Sequence, residues 1–181
     1  MKWTRRRLLG AGIGGSVLLA LGGLAMRRSD ATRPAPTTLV VLSPRAWQVL
    51  AAVADRVCPS GDGWPSADTI DVASRVDALL GRMHPATAAE IEQVLGLLDN
   101  ALGGLLMDGR TSTFVDAGPE GQDAILRDWQ TSRIALRRAG YKALSGLCAS
   151  AYYADPRVFP KVGYPGPPNY GNVAPAPGGA G

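Results

Sequence analysis

Apolar residues recur every three or four positions along most of this chain, and that spacing limits the folds it can adopt more than any other feature. Leu42-Ser43-Pro44 combines a cap residue with a proline for the first helical position, and an apolar stripe then begins at Trp47. Comparable stripes occupy residues 72–83, 91–105, 119–129 and 133–153. Because no segment alternates with period two, we predict an all-α fold, a small helical domain of about five helices over residues 39–162.

Local signals refine the boundaries of these helices. Thr87 and Glu90 have the spacing of a capping box, which predicts that the third helix starts there. The single histidine, His84, stands directly before a proline at a helix end. We interpret it as a helix-terminal residue rather than as a metal ligand or a base.

Residues 58–71 are rich in glycine, proline and small polar residues, and they are predicted to form a loop. Within it Trp64 lies between a glycine and a proline, so we expect this side chain to be a surface anchor for another protein. Trp47 and Trp129 lie on apolar helical stripes instead, and we expect both in the core.

The first 28 residues resemble an export signal of the twin-arginine type, which serves proteins that fold before export. Arg5 and Arg6 form the arginine pair, and a variable residue and two leucines follow them. The 19 uncharged residues from Leu8 to Met26 include six glycines, so the stretch is only weakly hydrophobic. An ordinary membrane anchor with basic flanks is the alternative, and signal cleavage stays open.

The positive charge of the chain is concentrated in this signal. The formal net charge is +4, and residues 1–25 contain four basic residues and no acidic ones, so the remainder is close to neutral. No basic stripe with interleaved aromatic residues is present, and the sequence therefore does not predict a nucleic-acid partner. Residues 29–38 are predicted to be a polar linker between the signal and the helical domain.

The C-terminal residues 163–181 differ in composition from the helical part. They contain six glycines and five prolines in nineteen residues, so they cannot bury enough apolar surface to fold alone. The segment from Gly163 to Pro168 is predicted to follow an extended, polyproline-like path that leaves the domain and lies on a partner protein. We expect residues 172–181 to be a frayed end.

No constellation of residues in this chain is typical of a catalytic or cofactor site. The cysteines are 90 positions apart, which matches no zinc or iron–sulfur spacing, and no dinucleotide-binding glycine motif joins a strand to a helix. Asp55, Asp68, Asp71 and Asp77 are interpreted as helix caps or solvated charges. We therefore predict that the chain is not an enzyme and holds no cofactor or metal of its own.

The sequence leaves three bonding states open for Cys58 and Cys148. They can form a disulfide with each other after export to an oxidising compartment, one of them can bond to a partner chain, or both can remain buried thiols. An intrachain bond would stabilise the fold by roughly 4–5 kcal/mol in the chain-entropy model.

Two stretches resemble the gluconate 2-dehydrogenase subunit 3 family. The first is LSPRAWQVLAAVADRVCPSGDGWPSADTIDV, beginning at Leu42. The second is the ending AYYADP from Ala151, followed by GYPGPP from Gly163, and it is the more specific of the two. The resemblance covers roughly residues 39–168, and residues 86–130 match only as generic helix.

This resemblance implies an accessory role in an oxidoreductase complex. Members are non-catalytic small subunits that support maturation and twin-arginine co-export of a large flavoprotein of the glucose–methanol–choline type, which binds FAD. The implied partners are this dehydrogenase subunit, the twin-arginine translocase and often a multihaem cytochrome c, at the periplasmic face of the inner membrane. The expected partner-binding residues are Trp64, Tyr152, Tyr153, Tyr164, Pro165, Pro167 and Pro168.

Two other classes of function stay open at this point. One is a periplasmic binding or scaffold protein without an oxidoreductase partner. The other is a small enzyme whose site has no recognisable motif.

Overall fold

The computed structural model describes residues 33–100 and 112–167, and this part of the chain is helical with no strands. The all-α prediction is confirmed. The export signal with Arg5 and Arg6, residues 101–111 and the tail from Pro168 onward lie outside the described residues. The helices are α1 (Pro44–Val57), α2 (Ala67–Ile70), α3 (Val72–Leu80), α4 (Pro85–Asp99), α5 (Gly118–Thr131) and α6 (Ala135–Tyr153). Two 3-10 turns, Val115–Ala117 and Phe159–Val162, accompany them.

The start of α1 follows the sequence prediction. The hydroxyl of Ser43 accepts a hydrogen bond from the backbone N–H of Ala46 at 3.3 Å, and Pro44 occupies the first helical position. A proline there loses no helical hydrogen bond, since the first N–H groups of a helix have no partner within the helix. The helix ends at Val57, where the loop begins.

The predicted start of the third long helix is wrong by one turn. Helix α4 begins at Pro85, and the ring nitrogen Nδ1 of His84 accepts the N–H of Ala86 at 3.2 Å. Thr87 and Glu90 therefore lie inside the helix and do not cap it. A proline with its φ already near the helical value begins the helix earlier, and the imidazole takes the place of a capping hydroxyl. The prediction that His84 is helix-terminal is confirmed.

The loop predicted for residues 58–71 contains the short helix α2, which raises the helix count to six among the described residues. The hydroxyl of Ser66 caps it by accepting the N–H of Thr69 at 3.1 Å. Asp71 ends it in the left-handed conformation, with φ of 59°. Four residues are too short for an apolar stripe to show as a periodic pattern, so periodicity missed this helix.

The core forms around α1 and α6, which pack against each other and against α3, α4 and α5. Trp47 and Trp129 are both buried, as predicted. Where α6 approaches α5 and α4, Gly140 leaves room for its neighbours, because a Cβ there would lie 2.9 Å from the Trp129 ring and 3.0 Å from Val94. Burial of each large aliphatic side chain in this core stabilises the folded state by about 1.5–3 kcal/mol relative to leaving that side chain exposed.

Two buried carboxylates join segments that are distant in sequence. Asp77 on α3 accepts the backbone N–H groups of Val40, Val41 and Leu42 at 2.6, 3.0 and 2.8 Å, which fastens the chain before α1 to α3. Asp77 is 2% exposed, so the prediction of a solvated or capping role is wrong for this residue. Asp99 forms a bidentate ion pair with Arg45, in which the guanidinium nitrogens Nε and Nη2 donate to the two carboxylate oxygens at 2.7 and 3.0 Å. Charge-assisted hydrogen bonds of this kind offset the cost of burying a carboxylate.

The described end of the predicted linker lies on the helical domain. Arg33 contacts the carboxylates of Asp55 at 3.1 Å and Asp68 at 3.4 Å, while its carbonyl accepts a hydrogen bond from Gln48. Ala35 and Leu39 pack against the core. Within residues 33–100 and 112–167, none of the helices combines the length and the hydropathy that a bilayer span requires, and no cluster of three or more histidine, cysteine, aspartate or glutamate side chains is placed to bind a metal ion.

Candidate partner-binding site

The loop between α1 and α2, residues 58–66, folds into a tight projecting turn. Its tip residues Gly61, Asp62 and Gly63 all have positive φ, at 81°, 50° and 77°. Glycine adopts this conformation without steric cost, and aspartate tolerates it better than most residues. The N–H of Trp64 donates to the carbonyl of Gly61 at 2.8 Å and closes the turn. The loop therefore has a defined shape, with its tip exposed to solvent.

The side chain of Tyr152 holds the two ends of this loop together. Its ring is fully buried in α6, and its hydroxyl lies 3.1 Å from the carbonyl oxygen of Pro59 and 2.8 Å from that of Pro65. Burial raises the pKa of this hydroxyl, with smaller effects from Cys58 and Tyr153, so the group stays a neutral donor. One hydroxyl hydrogen thus joins the two ends of the loop.

Replacing Tyr152 by phenylalanine is expected to destabilise the chain by about 1–2 kcal/mol, because two loop carbonyls lose their donor. Urea unfolding followed by circular dichroism measures the loss, and hydrogen exchange should show faster opening of residues 58–66. Tyr153→Phe is the matched control, since the Tyr153 side chain is 44% exposed. Equal stability of the two variants would contradict the supporting role of the Tyr152 hydroxyl.

Asp155 fastens the chain directly after α6. Its carboxylate is 2% exposed and accepts hydrogen bonds from Arg75 on α3 at 2.6 Å and from the Arg157 side chain at 2.8 and 2.9 Å. Arg157 also donates to the carbonyl of Thr69 at 3.0 Å, which extends the network to α2. The hydrogen bonds from Arg157, followed by the charges of Arg157 and Arg75, hold the pKa of Asp155 far below its usual range despite its burial.

The segment after this network returns to the loop. In the 3-10 turn Phe159–Val162, the ammonium group of Lys161 lies 3.3 Å from the carbonyl oxygen of Asp62. The Tyr164 ring packs edge-on against Phe159, with centroids 4.9 Å apart. Gly163 and Gly166 have positive φ, at 67° and 102°. The prediction of a polyproline-like strip that leaves the domain is therefore wrong for residues 163–167, because a polyproline path requires negative φ throughout.

Residues 58–66, residues 159–167 and Tyr153 form one surface, which we call the loop–tail face. Tyr153 and Tyr164 are each 44% exposed on it, and Val162 is 48% exposed. The contact of Lys161 with Asp62 joins the tail to the loop, and the Tyr152 hydroxyl holds the two ends of the loop together. Rigid tyrosine rings with a polar end are typical of the central residues of protein–protein interfaces.

Comparison with known proteins identifies the group to which this chain is related. The family model for gluconate 2-dehydrogenase subunit 3 matches residues 44–166. The chain belongs to this family. No curated protein and no solved structure matches it. The matched region extends from the first residue of α1 to Gly166, so it includes nearly the whole loop–tail face.

The predicted partner-binding residues of this chain lie in different environments in the structure. Trp64 is half-buried and packs against the core, while Tyr153 and Tyr164 are exposed. Pro165 and Pro167 are also exposed, and Pro168 lies outside the described residues. Tyr152 is fully buried, so the prediction that it contacts a partner is wrong. The pattern Tyr-Tyr combines an inward residue that shapes the face with an outward residue that is available for contact.

The two cysteines of this family member are neighbours in the fold. Both are free and buried, and the sulfur of Cys58 lies 4.0 Å from the carbonyl oxygen of Cys148. Burial, and to a lesser degree the charge of Asp55, raises the pKa of Cys58 to about 11, and burial also raises the pKa of Cys148. Thiols of this kind react slowly because the thiolate is disfavoured. A bond between the two cysteines stays a prediction, and a bond to another chain would require one sulfur to become exposed.

Sequence reasoning missed three basic residues that build the loop–tail face. Arg75, Arg157 and Lys161 connect the chain after α6 to α2, α3 and the loop. The only local signal is Asp155-Pro156-Arg157, in which an acidic residue precedes an arginine by two positions. Arg75 lies 80 positions away from its partner, and no pattern within a single segment could have paired them.

Proposed function

We propose that this chain is the non-catalytic small subunit of a periplasmic, flavin-dependent dehydrogenase that oxidises a sugar or polyol. In this proposal it binds the large, FAD-containing subunit in the cytoplasm, supports its maturation and carries it through the twin-arginine translocase. The complex then acts at the periplasmic face of the inner membrane, with a multihaem cytochrome c as a further subunit.

The match to gluconate 2-dehydrogenase subunit 3 is the main support for this proposal, because a family of this description implies a subunit of a dehydrogenase. The loop–tail face supports the next step, since it offers an exposed, internally braced surface with Tyr153 and Tyr164. Such a face can bind a partner with little loss of conformational entropy, because its backbone is already ordered.

The use of the buried carboxylates also supports an accessory role. Asp77 binds three backbone N–H groups, Asp99 binds Arg45, and Asp155 binds two arginines. Each of them holds two parts of the chain together, and each has its acceptor oxygens occupied. We therefore assign these carboxylates to folding and place the redox chemistry in the partner.

Purification of the tagged chain from its native membranes tests the proposal. A flavin-containing dehydrogenase subunit is expected to co-purify with it, and the chain produced alone is expected to be colourless and without dehydrogenase activity. A chain that holds stoichiometric flavin by itself would contradict the non-catalytic assignment. Recovery of the chain without any flavoprotein would favour the scaffold alternative.

Truncation after Val162 is expected to weaken binding of the large subunit while the helical domain stays folded. The anchoring contacts of Tyr152, Asp155 and Lys161 all precede the cut, and Tyr164 is removed with the tail. Tyr164→Ala should reproduce part of the loss, about 1–3 kcal/mol for an exposed ring that becomes buried on binding. Pull-down of the partner measures binding, and circular dichroism reports the fold. Removal of residues 172–181 is the control, and unchanged pull-down after the longer truncation would contradict a binding role for the tail.

A further inference from the structure

A polar groove lies beside the loop–tail face, between the last turn of α1 and the facing sides of α5 and α6. Its volume is about 540 Å³. This is large enough for several side chains of a partner, since pockets for small ligands range from about 300 to 1,000 Å³. The polar residues that line it are Arg56, Asp123, Arg127, Gln130, Tyr141 and Ser145.

The charges of this groove are not balanced. Arg56 lies 3.9 Å from the carboxylate of Asp123, which is the longest ion pair found among the described residues. Arg127 is exposed and has no ion pair within the described part of the chain. Counting only residues 33–100 and 112–167, the groove therefore has one uncompensated positive charge. A guanidinium group binds a carboxylate with two parallel hydrogen bonds.

A second observation points to a missing partner. The hydroxyl oxygen of Ser145 is the only buried side-chain oxygen or nitrogen in the described residues that has no hydrogen bond. Buried polar atoms without a partner are rare and call for an explanation. A polar group placed in the groove would supply that partner, since Ser145 lines it.

The residues that line the groove adjoin those of the loop–tail face along α6 and α1. On α6, Tyr141, Ser145 and Ala149 line the groove at successive four-residue spacings, and the next position of this row is Tyr153. On α1, Val57 lines the groove and directly precedes Cys58, the first residue of the loop. A partner that covers the face therefore also reaches the groove.

We propose that this groove binds an acidic side chain on a segment of the dehydrogenase subunit, with Arg127 as its main contact and the Ser145 hydroxyl as a second donor. This inference rests on the proposed function, because it assigns a second contact to the same partner. Because the charge of Arg127 is positive, the side chain that binds in the groove is expected to be aspartate or glutamate. The attraction orients the partner on the loop–tail face.

The first test compares charge variants of the full tagged chain in its native membranes. Arg127→Glu is expected to lower the recovered flavoprotein at least about tenfold, while Arg127→Lys keeps most of it, because repulsion replaces attraction only in the first variant. Arg82→Glu is the matched control, since Arg82 is exposed beyond the far end of α3. Ser145→Ala should reduce recovery about threefold without lowering the melting temperature, because the Ser145 hydroxyl has no hydrogen bond to lose within the described part of the chain.

The second test places a photo-crosslinking amino acid at Gln130, which is exposed and lines the groove. A crosslinked peptide from the dehydrogenase subunit that contains aspartate or glutamate supports the proposal. A crosslink within this chain, or to a partner peptide without an acidic residue, overturns it.

The outcomes distinguish a failure of the groove proposal from a failure of the proposed function. Equal recovery of flavoprotein by the unmodified chain, Arg127→Glu and Ser145→Ala overturns the groove contact while the dehydrogenase assignment stands. If the unmodified chain recovers no flavoprotein, the proposed function fails and the groove proposal fails with it.

Discussion

Changing Arg5 and Arg6 together to lysine is expected to leave both this chain and its dehydrogenase partner in the cytoplasm. Lysine keeps the charge but loses the planar guanidinium group, which a site built for paired arginines distinguishes from an ammonium group. Because the proposed partner travels with this chain, a single signal controls both. Fractionation followed by immunodetection of each subunit, with flavin fluorescence for the partner, measures the effect.

Arg27→Lys together with Arg28→Lys is the matched control for this experiment. The same chemical change is made there at an arginine pair on the other side of the apolar stretch. Normal export is expected for the control. If the partner reached the periplasm with Arg5 and Arg6 both changed, the carrier role would be contradicted. Normal export of this chain itself would contradict the twin-arginine signal.

Asp155→Asn is expected to cause the largest loss of stability among the single substitutions proposed for this chain. The amide nitrogen of asparagine is a donor, so one side of the group would face guanidinium donors from Arg75 or Arg157. Loss of charge-assisted hydrogen bonds at a buried position costs about 2–3 kcal/mol, allowing for the hydration of the two partly exposed arginines. Urea unfolding at neutral pH measures the difference. Asp68→Asn is the control, because its ion pair with Arg33 is exposed and such pairs contribute about 0–1 kcal/mol.

The pH dependence of unfolding gives an independent readout of the same contact. The pKa of Asp155 is lowered in the folded state, so its contribution is fully present above the unfolded pKa of about 3.9. That contribution is lost as the pH falls below this value toward the folded pKa. The difference in stability between the original chain and Asp155→Asn should therefore shrink between about pH 5 and pH 3. A difference that stays constant over this range would show that Asp155 acts through packing rather than charge.

Much of the helical architecture could be predicted from periodicity and local signals. The stripes after Pro44, Pro119 and Arg133 correspond to α1, α5 and α6, because an amphipathic helix repeats its apolar positions within one segment. The boundaries were less certain where two signals competed. At α4 the proline at position 85 prevailed over the capping-box pattern of Thr87 and Glu90.

The candidate site was predicted only in part. The exposure of Tyr153 and Tyr164 agrees with their predicted role in partner binding, which remains to be tested. Tyr152 carries the same side chain as its neighbour, yet it points into the core. Adjacent helix positions face different directions by about 100°, and only the packing of α6 determines which of the two is buried.

By itself, the sequence determined the helical class, the positions of the main helices, the resemblance to gluconate 2-dehydrogenase subunit 3 and the two segments that carry it. These properties depend on residues that are close together in the chain. Only the tertiary structure decided that the loop and the tail form one face, that Asp155 pairs with Arg75, and that a groove lies beside them whose Ser145 hydroxyl has no hydrogen bond among the described residues. The physical reason is that these contacts join residues separated by up to 99 positions, so they exist only once the helices have packed.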